Sequence, residues 1–333
     1  MVTIKDIAER LGIAVSTVSK GINGADDISE EMHQKILDTA IEMGYVSKRM
    51  RKEDHKKLAV FIENMEYEDS SSFGYDIVLG FRQMAMKEGW NIDVIPVTPV
   101  IQSKESYDRY MLRNGYLGGF LVGFALHDDW LMNIESVQTP TVLFDNYSKE
   151  NPHVGYVGTD SYEGIDRCVT HLARLGHKRI AFLNGSHNSL VSDQRAEAFY
   201  QSMKSNGLPI DEDLIGYGYY VSESARDFVP GFLSKEVTAI VCGSDLLAKG
   251  AMEECMDRGF RIPEDISITG FDDLPIARTL LPPLTTIRQD RLTSGRCAYN
   301  TLSAIINRIP ISKTMLRAIL IERATTAECH DVR

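Results

Sequence analysis

The sequence predicts an N-terminal all-α helix-turn-helix domain followed by an α/β core of two doubly wound parallel-sheet lobes. Three observations carry that prediction. Residues 3–23 set two short helical patterns on either side of a glycine. From Lys57 onward, continuous apolar runs alternate with amphipathic segments of helical length, the pattern of parallel strands with crossover helices. A length of 333 residues allows two or three domains with an ample core.

The first helix has a full set of local signals. Thr3 is a good N-cap, and Asp6, three residues on, completes a capping box. Ile4, Ile7, Ala8 and Leu11 recur at i, i+3, i+4 and i+7, which makes one apolar stripe. Gly12 stops the helix, because glycine takes the left-handed conformation without a side-chain clash. Ile13 plugs the turn, and the small Ala14 permits a close helix crossing. A second helix from Val15 to Ile22 would bury Val18 and Ile22 and turn Val15, Ser16, Thr17, Ser19 and Lys20 outward. A recognition helix enters the major groove N-terminus first. Val15, Ser16 and Lys20 are therefore candidates for base edges, and Thr17, Ser19 and Asn23 for phosphates. The competing reading is two packed helices in any small bundle. A third helix, capped by Ser29 and running through Met32, Ile36, Leu37, Ala40 and Met43 to Gly44, favours a closed three-helix DNA-reading domain.

Next comes Lys48-Arg49-Met50-Arg51-Lys52-Glu53-Asp54-His55-Lys56-Lys57, with six basic residues in ten. It reads as a linker that touches phosphates or, more blandly, as a solvated connector. The first 57 residues carry ten Lys+Arg and ten Asp+Glu, so the net charge of -11 falls on the remainder. An acidic body with its basic groups at one end fits a protein that meets DNA only there. Five scattered cysteines show no CxxC or Cys/His ligand spacing. They point to a reduced, cytoplasmic protein without zinc. No apolar leader or membrane-length stretch stands in the sequence.

The apolar runs of the core are Leu58–Ile62, Ile92–Val97, Gly119–Phe124, Thr141–Phe144, Val154–Thr159, Ile180–Leu183, Ala239–Cys242 and Ile266–Gly270. Helical segments between them include Tyr75–Lys87, Tyr162–Leu175, Gln194–Ser205, Ser222–Leu233 and Leu246–Arg258. Ligands of open α/β sheets sit at the carboxyl ends of the strands. Acidic residues stand at four such ends: Asp145, Asp160, Asp245 beside Ser244, and Asp272 beside Asp273. They suit a ligand with many hydroxyl donors. Each could instead cap the helix that follows, Asp160 and Asp245 above all.

The chain resembles the lactose-repressor (LacI) family of bacterial transcription regulators. The resemblance runs over Thr-Ile-Lys-Asp-Ile-Ala (3–8), Ser-Thr-Val-Ser-Lys (16–20), Asn23-Gly24, Ile28-Ser29-Glu30 and Glu42-Met43-Gly44-Tyr45. It continues through Val157-Gly158-Thr159-Asp160, His171 to Ile180, Asp245 to Gly250, Pro263 to Asp273 and Pro282 to Asp290. It implies a regulator, probing DNA as a homodimer at a near-palindromic operator, with a periplasmic-binding-protein-like core that holds a small-molecule effector between its lobes. The acidic strand ends point to a sugar or sugar derivative as the class of effector. Arg195, in Ser192-Asp193-Gln194-Arg195, matches the arginine that grips the effector, and Asp272 the sugar-binding aspartate. Asp145, Tyr220 and Gln289 fall on further pocket positions, and Phe73 on an aromatic that faces the ligand. Trp130 matches less well and reads better as a core or surface residue. Ser244 stands where the family often has asparagine.

The implied domains are 1–46 for reading DNA, 47–57 for the linker and 58–333 for effector binding and dimerisation. One core lobe takes about 58–159 with 291–317, the other about 160–286 with 318–330. The linker departs from the family pattern, in which a hinge helix inserts a leucine into the minor groove. Here that position holds Asp54, which cannot intercalate without burying a charge. The linker then either grips phosphates through Lys48, Arg49 and Arg51 or uses Met50 as its wedge. No nucleophile elbow, P-loop or GxGxxG is found, so neither catalysis nor a cofactor is expected. Two alternatives stay open: a regulator that answers to a protein partner, and a sugar-binding protein without a regulatory role.

Overall fold

In the computed structural model, residues 2–25, 27–46 and 56–329 are described; the linker residues Lys48, Arg49, Met50 and Arg51 lie outside them. The chain forms two compact units. The first holds residues 1–65, 76–157 and 292–314, and the second 66–75, 158–291 and 315–333.

The first unit begins with three helices, α1 (Ile4–Leu11), α2 (Val15–Ile22) and α3 (Glu30–Glu42). Thr3 and Asp6 form the capping box, and Gly12 ends α1 at φ 66°. Ser29 caps α3 by accepting from the Met32 amide. Ile7, Ala8, Val18, Ile36 and Ala40 make the shared core; Ile22, expected inside, is half-buried against it.

The α/β part follows as β1 (Lys57–Ile62), α4 (Phe73–Lys87), β2 (Asn91–Pro96), α5 (Pro99–Lys104), α6 (Tyr107–Asn114), β3 (Gly118–Val122), α7 (Asp129–Met132), β4 (Thr141–Phe144) and β5 (Val154–Thr159). The second unit's elements are α8 (Ser161–Arg174), β6 (Ile180–Asn184), α9 (Leu190–Ser205), β7 (Ile215–Tyr217), α10 (Ala225–Ser234), β8 (Ala239–Cys242), α11 (Asp245–Asp257), β9 (Ser267–Asp272), α12 (Pro275–Thr279) and β10 (Thr285–Arg288). The chain closes with α13 (Arg291–Ile306), β11 (Lys313–Leu316) and β12 (Ile319–Ile321).

Each unit contains a six-stranded sheet, ordered β11-β5-β4-β3-β1-β2 in the first and β12-β10-β9-β8-β6-β7 in the second. Strands β1 to β5 pair in parallel, as do β6 to β10. β12 runs antiparallel to β10. β8 is buried along its whole length because helices cover both faces of the sheet: Ile240 and Cys242 enter one core cluster, Ala239 and Val241 the other. Trp130 is buried among Phe61, Tyr107 and Phe124, which decides between the core and surface roles in favour of the core.

Candidate ligand-binding site and nucleic-acid interface

In the second sheet β6 has β7 on one side and β8 on the other, so the strand order reverses there. Such a reversal opens a crevice at the carboxyl ends of the strands. β6 ends there at Asn184, which is fully buried and donates through Nδ2 to the Ser192 carbonyl at 2.7 Å. Beyond β8, the Gly243 carbonyl accepts from Arg195 Nη1 at 2.6 Å. Arg195 lies in the second turn of α9, its guanidinium carbon 4.0 Å from the Phe271 ring centre and 5.9 Å from that of Tyr220. Its Nε is buried without a hydrogen-bond partner. Tyr220 shares a 2.7 Å hydrogen bond with Ser192.

Asp272 is the last residue of β9 and is buried at φ 122°, a conformation that L side chains seldom take. Strain of that kind collects at ligand sites. Gln289 Nε2 donates to its carboxylate at 2.7 Å, and Arg291 Nη1 donates to its main-chain oxygen at 3.0 Å. Burial pushes the Asp272 carboxyl up to about 6; attraction to Arg195, the Gln289 hydrogen bond and attraction to Arg291 oppose the rise without cancelling it. The Arg291 guanidinium lies 5.8 Å from the ring centre of Phe73, which is half-buried.

The other acidic strand ends are used differently. Asp245 is fully buried; its carboxylate accepts from the Leu274 amide at 2.7 Å and from the Thr286 hydroxyl. A Cβ on Gly270 would stand 2.4 Å from that carboxylate, so glycine is required where it passes the strand. Burial, then the nearby Asp272 charge, holds the Asp245 carboxyl well above the usual range. Asp273 is tied to Arg288, Arg278 and Arg323. Burial raises its carboxyl, but the hydrogen bonds from Arg323 and Arg288 outweigh that and hold it low. Both therefore brace the protein. Asp160 accepts from the Glu163 amide at 3.0 Å and so caps α8, as the alternative reading had it; at the end of β8 the cap of α11 is Ser244, which accepts from the Leu247 amide at 3.1 Å, and not Asp245.

The second unit thus gathers Arg195, Tyr220, Asp272 and Gln289 with Ser192, Asn184 and Arg291, three residues the sequence reading did not assign to the pocket. In the first unit, Asp145 follows β4 at φ 56°. Glu63 follows β1 there, buried and accepting from Gln102 Nε2 at 3.2 Å. Burial, aided by Asp128, raises its carboxyl to about 6.

On α2, Val15, Ser16 and Lys20 are exposed while Thr17 and Ser19 are half-buried. Lys20 is paired with Asp27, and Asn23 Nδ2 donates to the Ser19 carbonyl at 2.7 Å. Among the described residues, no cluster of three or more His, Cys, Asp or Glu is placed to hold a metal, and no helix is long and apolar enough to cross a membrane.

A three-helix reading domain joined to a pair of parallel-sheet units with a polar strand-end site defines the class: a DNA-binding regulator with a ligand-binding core. The family described as "Bacterial regulatory proteins, lacI family" matches residues 3–48, and the "Periplasmic binding protein-like domain" matches residues 169–326. The chain thus carries a reading domain of the lacI family and a periplasmic-binding-protein-like domain. It is 26% identical over 328 residues to the HTH-type transcriptional repressor PurR of Actinobacillus pleuropneumoniae serotype 3 (strain JL03), covering 97% of this chain and 95% of that one. It is 26% identical to the HTH-type transcriptional regulator MalR of Streptomyces coelicolor, covering 97% and 96%. The transcriptional regulator CelR–cellobiose complex shares the fold at TM-score 0.73 and 24% identity, over 98% of this chain and all of that one (100%). The lac repressor dimer bound to operator and the anti-inducer ONPF does so at TM-score 0.70 and 22% identity, over 98% and 99%.

Proposed function

We propose that the protein is an operator-binding repressor, acting as a homodimer, whose affinity for DNA is set by a sugar or sugar derivative. The observation that carries this reading is that Arg195 and Asp272, which attract each other, are both buried in this strand-end site. A buried guanidinium with an unsatisfied Nε and a buried carboxylate stand at the carboxyl-end face of one sheet. A sugar hydroxyl can donate to a carboxylate through its hydrogen and accept from a guanidinium through its oxygen, so hydroxyl groups suit both. Phe271, buried in the core, carries the guanidinium on its ring, while the half-buried Tyr220 ring offers an apolar face to the C–H side of a sugar ring. Tyr220, Gln289 and Phe73 complete the proposed contacts. Cellobiose, a disaccharide, accompanies one structural neighbour, and the class of ligand here is inferred by analogy.

On DNA, Val15, Ser16 and Lys20 read base edges and Thr17, Ser19 and Asn23 hold phosphates. Lys20 exchanges Asp27 for its DNA partner. A dimer sets two such helices in successive major grooves.

The test is a thermal-shift screen of the full chain against neutral sugars and sugar phosphates, followed by Arg195→Ala. A ligand at about a hundred times its Kd stabilises by about 2.7 kcal/mol, a shift of several degrees. The variant should lose that shift and the effector response while still binding operator. A normal response from Arg195→Ala would overturn the site; a silent panel beside a bound protein partner would overturn the effector class.

A further inference from the structure

Among the described residues, α6 of the α/β part meets α3 of the reading domain, within the first unit. Arg109, on α6, donates from Nε to Asp38 Oδ1 at 2.8 Å and from Nη2 to Asp38 Oδ2 at 2.7 Å. Asp38 belongs to α3 of the reading domain, so this is a two-pronged guanidinium–carboxylate pair between domains. The Arg109 side chain is 24% exposed and that of Asp38 48%, so the pair is partly shielded from solvent on the Arg109 side. Asp38 and then Glu105 and Glu30 favour the charged guanidinium. Leu112, three residues on and on the same face of α6, packs against the Ile7, Val18 and Ile36 core of the reading domain. The start of α6 is itself anchored, since Trp130 Nε1 donates to the Glu105 carbonyl at 3.0 Å and Arg113 pairs with Glu105.

We infer that α6 is a dock for α3, and that it holds the reading domain in one orientation ready for operator DNA. The exposure of α2 supports this direction over sequestration. The dock engages α3 and leaves Val15, Ser16 and Lys20 open to solvent. A domain held in place loses less rotational freedom on binding than one swinging on a tether. The dock also gives the α/β part a direct mechanical hold on the reading domain, besides the covalent linker. This rests on the assignment of residues 15–23 to DNA.

The experiment uses the full chain and a DNA site that the unaltered protein selects from a random-sequence library. Affinities for that site are measured for Asp38→Ala, Arg109→Ala, the double variant and the charge exchange Asp38→Arg with Arg109→Asp. Each single variant should bind about five-fold more weakly for each reading domain engaged, the double no more weakly than either single, and the exchange should recover most of the loss. The sign for Asp38→Ala is diagnostic. Deleting a negative charge from a DNA-reading domain by itself strengthens binding to phosphates, whereas loss of the dock weakens it. Melting curves and selection of the same site by each variant confirm intact folding. Unchanged or tighter operator binding by both single variants overturns the dock while leaving the DNA-reading assignment in place. Failure of the unaltered protein to select any sequence overturns that assignment, and the dock with it.

Discussion

Replacing Asp272 by asparagine removes a buried charge while nearly preserving the side chain's shape. The Asp272 carboxyl is pushed from an ordinary 3.8 to about 6, chiefly by burial. That rise is what remains after the attractions to Arg195 and Arg291 and the Gln289 hydrogen bond have acted, so it measures how far the fold disfavours the ionised form. A rise of this size corresponds to on the order of 3 kcal/mol. The unfolded chain releases this proton near pH 4 and the folded chain near pH 6. Between those values the unfolded state binds fewer protons, so stability falls as pH rises. The full penalty is present at pH 7 and absent below about pH 4. Asp272→Asn cannot ionise. It should match the unaltered protein near pH 4 and exceed it by about 2–3 kcal/mol at pH 7, several degrees in Tm. Urea unfolding of both proteins from pH 4 to pH 8, without ligand, measures the gap. The same variant should lose its response to any effector, since an amide replaces the accepting carboxylate. A variant no more stable at pH 7, or a gap that stays flat with pH, would refute the reasoning.

Three further outcomes are expected. Gly270→Ala drives a methyl to 2.4 Å from the Asp245 carboxylate and should cost about 2 kcal/mol or more, read as a lower urea midpoint; a variant of normal stability would mean that Asp245 moves aside freely. Thr3→Ala removes the capping box of α1 and should destabilise that helix by about 1 kcal/mol, seen as faster hydrogen exchange at the α1 amides; unchanged exchange would show the cap to be idle. Lys20→Ala should weaken binding to the selected site by about 5- to 100-fold while changing non-specific binding far less; equal losses on both DNAs would reassign Lys20 to the phosphates.

Much of this architecture was legible because its signals are local. The Thr3–Asp6 box, Gly12 and Ser29 each act within a few residues, and every one lies at a helix end as expected. Strands such as β8 were legible because burial on both faces demands an unbroken apolar run. β7, β11 and β12 were not, being three or four residues long and partly exposed at sheet edges. The candidate site was less legible than the fold. Asp245 and Asp272 look alike as strand-end aspartates. What separates them is distant in sequence: Thr286 and Leu274 turn Asp245 inward past Gly270, while Gln289 and Arg291 hold Asp272. Asn184 and Arg291 carried no motif, and only the place where the strand order reverses singles out the first of them.

Only Arg317 and Ala318 separate β11 from β12, yet each strand completes the edge of a different sheet. The timing of synthesis follows from this. β5 leaves the ribosome about 150 residues before its neighbour β11, on the order of ten to thirty seconds earlier at ordinary elongation rates. For that interval the first sheet has an open flank, and the second acquires its last strand only a few residues later. A nascent chain stalled before residue 313 would present two unfinished sheets at once, each offering unpaired backbone to other chains.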